Sequence, residues 1–99
     1  LKESLFEKFS PIELESSVSV DNELSSKART VQVVTSDKPG RLYKILDAIY
    51  EIQNNVLSAK ISTLGEKIFD IFKITDSKGK KIIDSEDIKN IKNKIMSVL

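Results

Sequence analysis

The feature that most constrains this chain is a change of apolar period at its centre, within TSDKPGRLYKIL, residues 35–46. Before the change, TVQVVT (residues 30–35) is rich in β-branched residues and predicts a central strand. After it, apolar residues recur at intervals of three and four, which predicts an amphipathic helix: Leu42, Ile45, Leu46, Ile49 and Ile52. A Pro-Gly pair therefore joins a strand to a helix. Proline suits the first turn of a helix, because the N–H that it lacks would have no partner there.

The remaining elements follow from the same periodicities. Alternating apolar residues predict a strand over residues 12–20, strongest at Val18–Val20, and residues 1–10 predict one short turn of helix. Gly65-Glu66 separates two alternating segments and predicts an antiparallel hairpin. Residues 53–55, Gln-Asn-Asn, should end the first helix, since asparagine tolerates the left-handed conformation. After a polar turn, Asp84 or Ser85 should cap a second helix with this apolar stripe: Ile88, Ile91, Ile95, Val98 and Leu99.

The order of these elements predicts an α+β fold. Two helices with one apolar stripe each would cover one face of a four-stranded antiparallel sheet, giving a ferredoxin-like two-layer sandwich. The usual order of that fold is βαββαβ, whereas this chain stops at its second helix. We therefore predict a permuted order, ββαββα, in which Val18–Val20 lies antiparallel beside Thr30–Thr35, because a bare β-branched edge would invite aggregation. Residues 1–17 are interpreted as a linker or the tail of a preceding region, and residues 18–99 as the domain.

Composition argues against several classes of function. The net charge is +1, with 16 basic residues dispersed among 15 acidic ones, and nucleic-acid binding usually needs a basic stripe. RNA-recognition sheets also stack bases on aromatic side chains of the central strands, and only Phe69 could serve. The chain has no His and no Cys, so the commonest general base and thiolate metal sites are missing, and no catalysis is expected from the isolated chain. No apolar run could span a bilayer, and a cytoplasmic location is expected.

Two interpretations of the Pro-Gly corner are open. In the first, the corner is a strand-to-helix turn with good caps, in which Asp37 accepts hydrogen bonds from the free amides of the helix. In the second, the corner binds a small ligand. Gly40 has no Cβ and lets a ligand approach the backbone, and the exposed amides of Gly40 and Arg41 would attract a carboxylate.

A longer series of residues resembles the ACT domain, the small-molecule-sensing module of amino-acid metabolism. The series comprises a strand, D-K-P-G-R-L, an apolar-striped helix, Asn-Asn-Val and a long hairpin, and covers roughly residues 18–99. Residues 58–82 are similar to the last ACT domain of the bifunctional enzymes that uridylylate and deuridylylate the nitrogen-signalling protein PII. The matching positions are Ser58, Ala59, Lys60, Ile61, Ser62, Thr63, Gly65, Glu66, Lys67, Asp70, Phe72, Ile74 and Asp76, with Val20, Asp21, Asn22 and Ser25 as a similar lead-in.

The resemblance implies a function and a site. ACT domains bind an amino acid where the strand-to-helix corner meets the start of the second core strand, often at a dimer interface. The implied ligand-binding residues are Asp37, Lys38, Pro39, Gly40, Arg41 and Leu42 at the corner, and Asn54, Asn55 and Val56 facing it. The implied role is a regulatory domain that binds an amino acid, glutamine first, and controls the catalytic domains of a PII uridylyltransferase. No cofactor is expected in this domain. The parent enzyme is expected to use Mg²⁺ and UTP and to be the part that contacts PII.

Two departures from the family pattern support an alternative. Ile52-Gln53-Asn54 stands where the family usually has a glycine, and Arg41 stands where a small or aliphatic residue is common. The alternative is a docking or dimerisation ACT domain that has lost its ligand. Phe69 and Ile71 are predicted on the sheet face away from the helices, where a neighbouring ACT domain or a second copy would pack.

Overall fold

The structure is a computed structural model that describes residues 16–21, 27–36 and 40–99. Its elements in chain order are β1 (Ser17–Val20), β2 (Arg29–Ser36), α1 (Arg41–Glu51), β3 (Asn54–Leu64), β4 (Lys67–Asp76) and α2 (Ser85–Val98). The predicted order, ββαββα, is confirmed. The predicted turn of helix in residues 1–10 and the first part of the predicted strand over residues 12–20 lie outside the described residues. Neither helix in the described part of the chain is both long and apolar enough to cross a membrane.

The four strands form one antiparallel sheet in the order β1-β2-β4-β3. β1 pairs with β2 from Ser17 opposite Val34 to Val20 opposite Val31. This is the edge pairing that the permuted order predicts. β2 is therefore a central strand, and its residues alternate between buried and half-buried along its whole length.

One face of the sheet packs against both helices and forms the core. Its apolar members come from β2, β4, both helices and the loop before α2: Val31, Val33, Ile45, Ile49, Phe72, Ile74, Ile82, Ile91 and Ile95. Ile91 and Ile95 are the buried residues of the stripe predicted for α2. The predicted cap of α2 is Asp84, whose carboxylate accepts a hydrogen bond from the Glu86 backbone N–H at 2.9 Å.

Left-handed backbone conformations flank α1. Gly40 is its N-cap, with φ of 77°. At the other end, Gln53 has φ of 62°, so the left-handed residue is this glutamine and neither of the two asparagines that follow. Asn54 instead begins β3 and pairs with Asp76, which requires an extended backbone. Gln53 thus stands at the junction where the family usually has a glycine, in a conformation that glycine adopts more easily.

β3 is an exposed edge strand and departs from simple alternation. Its register against β4 shifts between Val56 and Ser58, which makes Leu57 the extra residue of a β-bulge. Beyond the bulge every residue up to Leu64 is exposed, and Ile61 keeps 51% of its surface accessible. This part of β3 therefore contributes little to the core.

Candidate ligand-binding site

The described residues of the predicted site fall at the two ends of α1. Gly40, Arg41 and Leu42 begin the helix, and Asn54 and its two neighbours follow its end. Since α1 has 11 residues, a rise of 1.5 Å per residue puts its ends roughly 16 Å apart. Within one chain, therefore, the structure does not bring the two segments together. Asp37, Lys38 and Pro39 lie outside the described residues.

The N-terminus of α1 has the electrostatic character of an anion site. Gly40 offers no side chain to cap the first amides, and the first turn contains no carboxylate. The first N–H groups of a helix have no partner inside the helix, and the helix dipole adds positive potential there. Arg41 and Lys44 in the first turn add two cations. A carboxylate is the kind of group that this helix end favours.

Arg41 has a structural role that the sequence did not reveal. It is buried, and its guanidinium donates to the backbone carbonyls of Ser36 and Leu99, both at 3.1 Å. The side chain thus ties the end of β2 to the end of α2, so it is not solvated surface. A ligand contact through the Arg41 backbone N–H would leave both of these bonds intact. Leu42, the next predicted residue, is half-buried and packs against the core.

Two buried polar side chains near this end have unpartnered atoms. Thr35 is 1% exposed and Asp70 is 4% exposed. Thr35 Oγ1 and Asp70 Oδ1 are both buried without a hydrogen-bond partner. Among the described residues only Asp21 has another such atom, and its second carboxylate oxygen accepts a hydrogen bond from the Thr30 backbone N–H.

Thr35 and Asp70 are neighbours on the face of the sheet that carries the helices. Asp70 pairs with Val33, and Thr35 lies two residues further along the same strand, β2. Val33 and Phe72, which share this face, belong to the core. Diagonal positions of this kind on adjacent strands lie about 7–8 Å apart, within reach of a common small ligand group.

The length of α1 brings its first turn to about the level of this pair along the sheet. α1 ends where β3 begins, and Asn54 at that point pairs with Asp76. The helix runs back along the sheet for about 16 Å, which corresponds to about five residues of strand at 3.3 Å each. Counting back from Asp76 along β4 reaches Ile71 and then Asp70. By this estimate Asp70, on the inner face of the sheet, lies at about the level of the first turn of α1 along the strands.

Burial raises the pKa of the Asp70 carboxyl group above its ordinary value, because desolvation disfavours the charged form. Neither Asp70 nor Thr35 was among the predicted site residues. The available signal was the row of inward residues in KIFDIFKIT, where Asp70 stands between Ile68 and Phe72 as a charged residue among apolar ones. In the described part of the chain, no group of three or more acidic side chains could hold a metal ion.

The C-terminal end of α1 carries the other predicted segment. Asn54 is buried and lines an open groove of about 700 Å³ beside the N-terminus of α2. The Asn55 side chain is exposed, and its amide nitrogen donates to the carbonyls of Asp76 and Ser77 at 3.3 and 3.4 Å. Val56 is half-buried against the core. Asn55 thus already holds the turn that follows β4.

The other face of the sheet carries the two apolar residues predicted there. Phe69 and Ile71 alternate with the core residue Phe72 along β4 and are half-buried. Their partners on β3 are Ser62 and Lys60, which keep this face mixed in polarity.

Comparison with known proteins identifies the family. A family profile described as an ACR9-like, ACT-like domain matches residues 17–99. The chain belongs to the ACT-like domain family. This ACT-like domain is also 35% identical over 75 residues to the Bifunctional uridylyltransferase/uridylyl-removing enzyme of Bradyrhizobium diazoefficiens. The alignment covers 76% of the chain but only 8% of the enzyme, so the ACT-like domain corresponds to a small part of this relative.

Proposed function

We propose that this ACT-like domain is a regulatory domain that binds a free amino acid, with glutamine as the first candidate. In nitrogen regulation it would control the catalytic domains of a PII uridylyltransferase/uridylyl-removing enzyme. The observation that carries the proposal is the 35% identity to a segment of an enzyme of that name, on a chain of the ACT-like family. UTP, Mg²⁺ and PII would be bound by other parts of such an enzyme.

The helix end supports binding of an amino acid. The N–H groups of Arg41 and Leu42 have no partner inside the helix and suit the ligand's carboxylate, and the corner residues Asp37, Lys38 and Pro39 remain part of the proposed site through the resemblance. Because Gly40 and Asn54 lie at opposite ends of α1, a site that uses both needs two domains side by side. A neighbouring ACT domain or a second copy of this one would supply the other segment.

The proposed regulation acts through binding energy alone. A ligand that binds one arrangement of the domains better than another shifts their equilibrium, and such couplings are typically about 1–3 kcal/mol. In the proposal, this shift changes the balance between uridylylation and its reversal.

Glutamine titration of the isotope-labelled chain tests the binding step. We expect saturable shifts of the Gly40 amide, and shifts of the Asn55 amide in the same titration if two domains form the site. D-glutamine is the matched control, since it carries the same groups with the opposite configuration. The absence of any shift up to millimolar concentrations of all common L-amino acids would refute the sensing function.

A docking or dimerisation role is the second candidate, and apolar exposure favours it. Leu57, Ile61 and Leu64 are exposed on the edge strand β3, and Phe69 and Ile71 occupy the open face. Sedimentation velocity tests this role. A dimer that Ile71→Lys dissociates, in a chain that binds no amino acid, would leave docking as the function.

A further inference from the structure

We propose that Asp70 and Thr35 form the ammonium-binding half of the amino-acid site, beneath the N-terminal turn of α1. This inference rests on the proposed function and adds two residues that belong to neither of the segments implied by the family resemblance. The ligand class is an α-amino acid whose ammonium and carboxylate groups are both free.

Buried polar atoms without hydrogen-bond partners are the first support for this assignment. Most buried polar groups in folded proteins are hydrogen-bonded, and a buried carboxylate without a partner is especially unfavourable. Thr35 Oγ1 and Asp70 Oδ1 are both unpartnered on adjacent strands. An ammonium group has three donors and no acceptor, so it could satisfy the carboxylate and the hydroxyl together.

In the part of the chain that the structure describes, no ion pair joins a cation to Asp70. Arg41 is a buried cation at this end of α1, and its guanidinium donates to the carbonyls of Ser36 and Leu99. The ion pair found among the described residues joins Lys94 to Glu51, on the two helices. A cation for Asp70 therefore has to come from outside this part of the chain.

The helix end and the Asp70 carboxyl group favour ligand groups of opposite charge. The N-terminus of α1 favours a negative group, and the Asp70 carboxyl group favours a positive one. A simple anion would contact only the helix end. A simple cation would contact only the Asp70 carboxylate. An amino-acid zwitterion carries an ammonium group and a carboxylate group on the same carbon atom. It can therefore contact the Asp70 carboxylate and the helix end at once.

Binding of glutamine and of glutaramate, which is glutamine without its ammonium group, tests the assignment by calorimetry. We expect Asp70→Asn to weaken glutamine binding by about tenfold or more, since it removes a charge-assisted contact, and Thr35→Val to weaken it less. Both variants should leave the weaker binding of glutaramate unchanged. Asp47→Asn is the matched control, because Asp47 is an exposed aspartate on α1.

The outcomes separate the two proposals. Equal glutamine affinity of wild type and Asp70→Asn would overturn this inference and leave the sensing function standing. An equal loss for glutamine and glutaramate would also overturn it, because Asp70 would then act on the fold and not on the ammonium group. If the wild type bound no common amino acid, both proposals would fail.

A second measurement needs no variant. Carbon-detected NMR follows the ionisation of the Asp70 carboxyl group in the wild type. We expect saturating glutamine to lower its pKa, because a nearby ammonium group stabilises the carboxylate. Glutaramate should not lower it. An Asp70 pKa that glutamine leaves unchanged would contradict the proposal.

Discussion

Asp70→Asn should stabilise the domain in the absence of ligand, against the usual effect of a core substitution. Asp70 is 4% exposed, and its buried Oδ1 has no partner. Leaving a buried polar group unsatisfied costs about 1–3 kcal/mol, and more when it is charged. Asparagine keeps the shape and removes the charge, although its amide still needs partners. We therefore expect the free energy of unfolding at pH 7 to rise by about 1–2 kcal/mol and the melting temperature by about 5–10 °C.

The stability difference between Asp70→Asn and the wild type should also depend on pH. Because the native pKa of Asp70 is raised, the native state keeps a proton at pH values where the unfolded chain has released it. In that range stability falls as the pH rises, and the full loss is present above the native pKa. Asp70→Asn lacks this contribution. Its advantage over the wild type should be largest at neutral pH and should shrink as the pH falls toward the ordinary aspartate pKa.

Urea denaturation at several pH values measures the difference, with Asp47→Asn as the control for loss of an exposed carboxylate. The control should unfold like the wild type. Two results would refute the reasoning: an Asp70→Asn variant less stable than the wild type at pH 7, or a stability difference that does not change with pH.

Three further substitutions test the structure by thermal or urea unfolding. Phe72→Ala removes a fully buried ring of β4 and should cost about 3–5 kcal/mol; a cost below 1 kcal/mol would contradict its place in the core. Gln53→Gly should stabilise by about 0.5–1 kcal/mol, because the residue has φ of 62°; destabilisation would argue against that backbone. Arg41→Gln should cost about 2–3 kcal/mol through the lost bonds to Ser36 and Leu99, and Arg41→Lys should not restore it, since a single ammonium lacks the fork of the guanidinium.

The sequence predicted the architecture because each element carries its own periodicity. The β-branched run of β2 and the three-and-four spacing of α1 are local signals, and the need to cover the edge of β2 placed β1. The bulge at Leu57 was not predictable in this way, because a bulge is a mismatch between two strands. The roles of Arg41 and Asp70 were equally hidden. Arg41 depends on a carbonyl 58 residues away, and the burial of Asp70 depends on the register of neighbouring strands and on the position of a helix.

The two buried arginines of the described residues, in contrast, are hydrogen-bonded. Arg29 is as buried as Arg41, and its guanidinium donates to the carbonyls of Ile82 and Asp21 at 2.7 and 3.0 Å. Thr35 and Asp70 differ from the arginines in this respect: the partnered arginines link elements of the fold, whereas the unpartnered pair lies on adjacent strands of the sheet. Ligand-binding sites commonly contain residues that lower the stability of the unliganded protein. At such positions a substitution that raises stability weakens function.

This opposition predicts that glutamine narrows the difference in stability between the wild type and Asp70→Asn. Without ligand, Asp70→Asn should melt above the wild type. A ligand present at a hundred times its dissociation constant stabilises the native state by about 2.7 kcal/mol. Under those conditions the wild type should gain that amount, and a variant that binds about tenfold more weakly should gain about 1.4 kcal/mol. The stability advantage of Asp70→Asn should therefore shrink by about 1.3 kcal/mol at that glutamine concentration, and it changes sign only if the gain without ligand is smaller than this amount. A constant difference at all glutamine concentrations would mean that Asp70 affects the fold and not the ligand.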